Sequence, residues 1–268
     1  MTREVVAYVE QIMGMPISLR VRGAGAAGPA ARAAAAAVFA ELHAVDARFS
    51  TYRPDSEVSR IQFGSLALGA ASADVREVAA LCDEAHRRTG GSFDAWLRDS
   101  GGRPRFDPTG LVKGWVVERS ARHLAALPGL DYCLNAAGDV VVGCGGGASP
   151  AWRVGIEAPA REDEIAAVVE LRDGAVATSG TRARGDHIVD PATGTPPTAL
   201  RSVTVAGPSL TWADVYATAA FVKGHEAISF LDTVAGYEGL AIGAGGARVA
   251  TTGWDRPGAD HAIVASTG

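Results

Sequence analysis

Two oxygen-bearing side chains lie four residues apart in an apolar stretch towards the end of the chain. Asp214 and Thr218 fall within residues 212–221, where they would share one face of a helix. A carboxylate on a buried face is costly unless it is paired or binds a cation. The carboxylate and hydroxyl oxygens suit Mg²⁺, which keeps several waters and takes phosphate oxygens as further ligands. The pair therefore predicts a magnesium site, and the alternative is a simple salt bridge of the helix.

A glycine-rich segment with one lysine stands at the predicted start of another helix. Residues 107–115 read DPTGLVKGW, and the free N–H groups at a helix start bind anions. Lys113 adds a positive charge nearby. The segment is not a P-loop, because Gly114 follows the lysine where that motif requires serine or threonine. It predicts a phosphate site, and an ordinary helix start is the alternative.

A histidine lies in a polar segment that follows a predicted strand. The strand ends in ATSG (177–180), and HIVDPATG follows at 187–194. Loops often carry catalytic residues, and His187 could act as a base near neutral pH. The alternative is a solvated loop. With the anion site and the oxygen ligands, this histidine completes a set of groups suited to phosphoryl chemistry on a nucleotide-like substrate.

Three further polar or glycine-rich segments lie at 48–57, 89–94 and 135–139. Taken singly, each has an ordinary explanation. The first is explained as an exposed polar loop, the second as a helix end capped by glycine, and the third as a hairpin turn.

Alternating helices and strands must bring these groups together. Asp173-Gly174 lies between two apolar runs and predicts a two-residue hairpin. Hairpins with interspersed helices indicate an α+β fold with mixed, mostly antiparallel sheet layers and packed helices. Strands are predicted at 17–21, 132–135, 140–142, 152–156, 168–171, 175–178, 202–206, 240–242 and 248–251. Helices are predicted at 29–48, 74–88, 110–127, 209–223 and 226–235. No linker divides the chain, so one domain over residues 1–268 is expected, with two intertwined subdomains as the alternative.

The composition excludes several classes of function. The 268 residues are 47 % hydrophobic and 21 % charged, which suits a globular protein with a substantial core. Twenty-five basic against thirty acidic residues give a net charge of −5, so no nucleic acid or anionic membrane is expected as a partner. Three cysteines without a CxxC pair argue against a zinc cluster or a disulfide framework. No apolar run reaches the roughly 18 residues of a membrane span, and residues 1–16 lack a signal pattern, so a cytoplasmic protein is expected.

Taken in order, the motifs resemble those of the ApbE-type flavin transferases, which are FAD:protein FMN transferases. The resemblance runs from Met13 to Thr252. It includes the three segments at 48–57, 89–94 and 135–139, which have ordinary explanations when taken singly. The matching motifs are FSTYRPDSE at 49–57, TGGSFD at 89–94, DPTGLVKG at 107–114, NAAGD at 135–139, ATSG at 177–180 and HIVDPATG at 187–194. Ala137 replaces a glycine of the family motif, and Val112 replaces an alanine.

The resemblance implies a reaction and a set of site residues. The protein would bind FAD with Mg²⁺, transfer the FMN half to a threonine hydroxyl of an acceptor protein, and release AMP. The Mg²⁺ ligands would be Asp214 and Thr218 through their side chains and Val112 through its carbonyl. The catalytic residues would be His187, Asp190 and Lys113. The FAD-binding residues would be Met13, Ser50, Thr51, Tyr52, Gly91, Phe93, Asp94, Asp107, Gly110, Lys113, Asp139, Thr178, Ser179, His187 and Thr193.

Two alternatives to the transferase remain open at this point. Water could replace the acceptor hydroxyl, which would make the protein a Mg²⁺-dependent FAD pyrophosphatase that yields FMN and AMP. The protein could also bind FAD without any chemistry.

Overall fold

An eight-stranded antiparallel sheet forms the centre of the fold. The computed structural model describes residues 5–98, 102, 104–145, 149–159, 164–181, 188–254 and 261–265. The strands are β1 (Val5–Ile12), β2 (Met15–Arg22), β3 (Trp96–Arg98), β4 (Pro104–Phe106), β5 (Asp131–Ala136), β6 (Asp139–Cys144), β7 (Trp152–Glu157), β8 (Ile165–Leu171), β9 (Gly174–Gly180), β10 (Leu200–Gly207), β11 (Glu238–Gly243), β12 (Arg248–Ala250) and β13 (His261–Ala265). The large sheet has the order β1-β2-β5-β6-β9-β10-β11-β12. A smaller sheet has the order β13-β8-β7, and β3 pairs with β4.

Helices cover one face of the large sheet. They are α1 (Pro29–Phe49), α2 (Glu57–Gln62), α3 (Ala73–Thr89), α4 (Thr109–Ala125), α5 (Leu210–Lys223) and α6 (Ala227–Leu231). Strand β2 shows how the sequence selects this face. Its alternate residues Ile17, Leu19 and Val21 are fully buried, because side chains of a strand point to opposite faces in turn. These side chains join the core that also contains the buried faces of α1, α4 and α5.

The small sheet covers part of the other face. Val140 and Val142 of β6 and Val176 of β9 form a second core with Ile156 of β7 and Val169 of β8. Strand β6 is therefore buried on both faces, which explains its continuous apolar run Val140-Val141-Val142. The smaller sheet leaves part of the large sheet uncovered, and that part becomes a wall of the cleft described below.

Close packing of α4 on α5 sets the position of the functional residues. A Cβ atom at Gly114 would come within 3.1 Å of the Leu210 carbonyl oxygen and within 3.3 Å of the Asp214 Cβ. Glycine therefore allows the two helix backbones to approach at this point. Glu118 strengthens the contact, because its Oε2 accepts hydrogen bonds from the N–H and the hydroxyl of Thr211 at 2.9 and 2.6 Å. This packing brings the residue before Gly114, which is Lys113, next to α5.

The α+β architecture with antiparallel layers confirms the predicted fold class. The predicted helix at 226–235 is wrong in length, because a 3₁₀ turn (Gly224–Glu226) precedes α6 and the helix ends at Leu231. After Leu231 the chain turns, since the Thr233 hydroxyl donates a hydrogen bond to the Phe230 carbonyl and competes with helical bonding. Strands β1, β3, β4 and β13 and helix α2 were not predicted. Helix α2 follows an N-cap at Ser56, whose Oγ accepts a hydrogen bond from the Ser59 N–H at 3.0 Å.

In the part of the chain that the structure describes, no helix is long and apolar enough to cross a membrane. The organisation of residues 1–268 as one domain stays a prediction.

Candidate active site

A cleft of about 660 Å³ lies where the large sheet, β7, α4 and α5 meet. Its volume is that of a site for a small organic ligand. Side chains and backbone from elements that are far apart in sequence line it together. The predicted site residues on its wall are Phe93, Asp94, Asp107, Gly110, Lys113, Thr178, Ser179, Asp214 and Thr218.

A lysine between two buried carboxylates forms the charged centre of the cleft. The Lys113 ammonium pairs with Asp139 Oδ2 and lies 3.6 Å from Asp214 Oδ2. Asp139 is 1 % exposed and Asp214 is 3 % exposed, whereas the Lys113 side chain is 24 % exposed. Two buried carboxylates near each other require a cation, and the partly exposed ammonium supplies one that can also reach a ligand.

Hydroxyl groups surround this charged centre. The Ser179 and Thr218 hydroxyls form a hydrogen bond of 2.9 Å, which ties the end of β9 to α5. The Thr178 N–H donates to Asp139 Oδ1 at 3.1 Å, so Asp139 also fixes the end of β9. Thr178 and Thr204 join their hydroxyls at 2.9 Å across the neighbouring strands. The cleft therefore presents oxygen atoms beside the Lys113 ammonium group.

The start of α4 forms another wall of the cleft. Asp107 Oδ1 accepts hydrogen bonds from the Thr109 N–H at 3.2 Å and from its hydroxyl at 2.6 Å, so the carboxylate fixes the turn that leads into α4. The Phe93 ring packs against Gly110, where a Cβ atom would lie 3.2 Å from the ring. In this first turn the Leu111 and Val112 N–H groups donate to the Pro108 carbonyl at 2.9 and 3.0 Å, and its role as an anion site stays a prediction.

Cys133 is the cysteine that lines the cleft. Burial raises the pKa of its thiol to about 11, although Arg20 and Arg22 act in the opposite direction. The thiol is therefore protonated at neutral pH and is a poor nucleophile. Cys133 is therefore a small, weakly polar lining residue of the cleft and not a reactive group.

A sequence model of the ApbE family matches residues 13–100 and 95–240 of this chain. The chain belongs to the ApbE family. It is similar to proteins named FAD:protein FMN transferase from Klebsiella pneumoniae, at 33 % identity over 131 residues, and from Treponema pallidum, at 33 % identity over 177 residues. These matches cover 45 % and 57 % of this chain. They span 37 % and 48 % of the two relatives, so less than half of each relative's length is matched.

Solved ApbE structures share the fold over nearly the whole chain. The ApbE protein of Thermotoga maritima superposes with a TM-score of 0.80 at 21 % identity, covering 93 % of this chain and 97 % of that one. The flavinyl transferase ApbE of Pseudomonas stutzeri in its apo form gives a TM-score of 0.76 at 25 % identity, covering 94 % and 96 %.

Several residues expected from the ApbE motifs to bind FAD or Mg²⁺ are not part of the cleft wall. Asp139 stands behind Lys113, as described above. Val112 is buried in α4, and Gly91 follows the left-handed Gly90 that ends α3. Met13 occupies the turn between β1 and β2, with a φ of 55°. Their predicted contacts with FAD or Mg²⁺ stay predictions.

The segment Ser50-Thr51-Tyr52 connects α1 to α2 and also lies off the cleft wall. The Ser50 carbonyl accepts hydrogen bonds from the hydroxyls of Ser56 and Ser59 at 2.6 and 3.2 Å, which fix the backbone of this connection. Tyr52 is 96 % exposed. Its ring is therefore available for a contact, but the structure does not bring it to the cleft.

The ApbE motif at 187–194 is divided between the cleft and another part of the surface. Asp190 and Thr193 line a second groove rather than the cleft. The Asp190 carboxylate accepts hydrogen bonds from the Ala192 N–H at 2.9 Å and from the Thr193 hydroxyl at 3.2 Å, so it holds the turn of this loop. His187 lies outside the described residues. The catalytic roles of His187 and Asp190 stay predictions.

The motif analysis missed the part of the cleft wall formed by the large sheet and β7. The residues there include Ser18, Arg20, Arg153 and Arg201. A signal for the first two was present, because polar Ser18 and Arg20 alternate with apolar residues in a predicted strand. Register then places Ser18 beside Asn135 and Arg20 beside Cys133, which only the folded sheet reveals.

Proposed function

We propose that this ApbE-family protein transfers the FMN half of FAD to a threonine hydroxyl of an acceptor protein. The acceptor oxygen forms a bond to the FMN-side phosphorus of the pyrophosphate. The bond from that phosphorus to the bridging oxygen breaks, and AMP leaves with this oxygen. The hydroxyl proton passes to a base or to water, and no electrons are exchanged. The names of the curated relatives support this activity.

The position of Lys113 is the observation that supports phosphate chemistry most directly. Its ammonium lies at the cleft wall, about one turn after the start of α4. Asp139 holds the ammonium from the buried side, so it stays directed towards the cleft. A fixed cation that meets the charge developing on phosphate oxygens is what phosphoryl transfer needs, because this chemistry depends on positioning and charge stabilisation.

The oxygen donors of α5 also support the proposed use of Mg²⁺. Asp214 and Thr218 lie about one helical turn apart, and both line the cleft. A bound pyrophosphate would add further negative charge, which Mg²⁺ would neutralise when bound. The Asp214 carboxylate and the Thr218 hydroxyl are the donors we assign to it, with the Val112 carbonyl as the third. Within the described residues no three acidic, histidine or cysteine side chains form a metal site alone, so phosphate and water would complete the coordination.

The acceptor hydroxyl needs a group that orients it or takes its proton. We assign this role to His187 on the strength of the family motif, with Asp190 holding the loop that follows. Replacing His187 with alanine should slow transfer more than it weakens FAD binding. An equal loss of both would make His187 a binding residue instead.

Transfer can be tested with purified protein, FAD, Mg²⁺ and a candidate acceptor domain that carries a threonine. Flavin fluorescence should remain on the acceptor in a denaturing gel and should be missing when that threonine is replaced by valine. AMP and free FMN without a labelled acceptor would indicate the pyrophosphatase instead. Intact FAD after incubation would indicate a binding protein. The cytoplasmic location stays a prediction from the sequence, which fractionation of the source cells would test.

A further inference from the structure

A second groove, of about 440 Å³, lies at the end of α5. It is formed by the end of that helix and by the loop that precedes β10. The residues that line it are Asp190, Thr193, Thr195, Pro196, Pro197, Thr198, Ala199, Val222, Lys223, Gly224, His225 and Glu226. Asp190 and Thr193 belong to the motif at 187–194, and the transfer of FMN described above gives no role to the other residues of this groove.

One face of α5 connects the cleft to the second groove. Asp214, Thr218 and Val222 follow each other at four-residue intervals, so they lie on the same side of the helix. The first two line the cleft, and Val222 lines the groove. Because a helical turn rises about 5.4 Å, the groove begins about one turn beyond Thr218, a proposed Mg²⁺ ligand.

A shared wall connects the two cavities a second time. Ile188, Val189 and Pro191 line the cleft, whereas Asp190 and Thr193 of the same segment line the groove. A backbone hydrogen bond within the segment fixes its turn, since the Gly194 N–H donates to the Asp190 carbonyl at 2.8 Å. A chain that lies in the groove would therefore adjoin the cleft across this segment.

We propose that the second groove seats the polypeptide segment of the acceptor protein that carries the target threonine. This inference rests on the proposed function, which requires a second, protein substrate next to the cleft. Pro196 and Pro197 favour an extended backbone in the wall of the groove, because proline restricts its own backbone and that of the residue before it. Thr195 and Thr198 are exposed residues of this wall, and the Thr195 hydroxyl is held by the Thr193 hydroxyl at 2.9 Å. Hydroxyl groups can both donate to and accept from the backbone of an extended chain. The occupant is thus an extended segment with its threonine at the α5 end of the cleft.

A tryptophan placed in the groove tests the proposal. Thr198 is exposed and has no part in the FAD or Mg²⁺ site, so Thr198→Trp should fill the groove and leave the fold intact. Ala192→Trp is the matched control, because Ala192 is exposed on the same loop and lines neither cavity. The probe is a library of short peptides, each with one central threonine, incubated with enzyme, FAD and Mg²⁺. Flavin-labelled peptides are quantified by fluorescence and mass spectrometry, and FAD affinity is measured separately by the change in FAD fluorescence.

The proposal predicts that Thr198→Trp lowers peptide labelling at least about tenfold, the loss of about 1.4 kcal/mol of binding, with unchanged FAD affinity. Ala192→Trp should label as the wild type does. Equal labelling by Thr198→Trp and the wild type would overturn the groove assignment, and so would a parallel loss of FAD affinity. Failure of the wild type to label any peptide, while it splits FAD, would instead overturn the proposed transferase function.

Discussion

The Lys113 ammonium joins two carboxylates from distant parts of the chain, Asp139 at the start of β6 and Asp214 on α5. It pairs with the first and lies 3.6 Å from the second. Gly114 makes this relationship possible, because its missing side chain lets α4 approach α5 at Asp214. The charged centre of the cleft is therefore a product of helix packing, and each member can be removed separately.

The ion pair of Lys113 and Asp139 should stabilise the folded protein. In Lys113→Met the buried Asp139 carboxylate loses its ion-pair partner, and the free energy of unfolding should fall by about 3 kcal/mol. The double variant with Asp139→Asn should lose less than the sum of the single variants, because neither charge is left alone. Urea unfolding of the four proteins measures this coupling. Additive losses would show that the ion pair does not contribute to the fold.

Asp214 and Thr218 should determine the response to Mg²⁺. Asp214→Asn keeps the shape of the side chain but removes its charge, so transfer at saturating FAD should fall at least about 100-fold. Thr218→Val should raise the Mg²⁺ concentration for half-maximal transfer, whereas the matched Thr218→Ser keeps the hydroxyl and should change it little. Initial rates over a Mg²⁺ titration measure both effects. A wild-type titration curve for Asp214→Asn would remove the metal assignment.

Cys133 should report FAD binding in the cleft. Burial raises the pKa of its thiol to about 11 from the ordinary 9.0. The folded state therefore favours the protonated thiol, and this contribution to stability is present below pH 9 and is lost as the pH rises towards 11. At pH 8 alkylation by iodoacetamide should be slow, about 100-fold below that of a free thiol from the pKa difference alone.

Bound FAD should slow this alkylation further. Cys144 is the internal control, because it lies on the neighbouring strand outside the cleft wall and contacts Arg22. Mass spectrometry of peptides after alkylation, with and without FAD, measures both sites. Protection of Cys144 but not of Cys133 would place FAD elsewhere.

Ala137 occupies a strained position where the family motif has glycine. Its φ of 52° is left-handed, which costs a residue with a side chain about 1 kcal/mol. Ala137→Gly should therefore raise the free energy of unfolding by up to about 1 kcal/mol without weakening FAD binding. Ala136→Gly, in the adjacent buried strand, should instead lower it by about 1 kcal/mol. Thermal unfolding with and without FAD tests both, and a destabilised Ala137→Gly would show that the turn is not strained.

Local patterns in the sequence were sufficient for much of the fold. The helix at 209–223 was predicted within a residue of α5, which follows the N-cap Ser209 and ends before Gly224. Strand β1 was missed because VVAYVEQI shows no clean alternation, and the structure explains this by its exposed position at the sheet edge. Helix α6 was predicted too long because local apolar spacing does not report the Thr233 side chain that competes for a helix carbonyl.

The site was predictable where chemistry lies in a continuous motif and not where it depends on tertiary contacts. Lys113 was identified from its place after Gly110 at a helix start. Its pairing with Asp139 was not predicted, because it joins α4 to β6 in the folded chain. The expectation that Asp139 binds FAD stays a prediction. Arg20 and Arg153 were missed, because strand register and the approach of a second sheet bring them to the cleft.

The stoichiometry of AMP release against attached flavin tests the central claim most directly. Purified enzyme, FAD, Mg²⁺ and an acceptor domain are incubated, and AMP, free FMN and acceptor-bound flavin are quantified from the same sample. A transferase predicts one AMP for each flavin attached to the acceptor, with little free FMN and no AMP when the acceptor is left out. AMP formed at the same rate without acceptor, matched by free FMN, would contradict the transferase and establish hydrolysis of FAD.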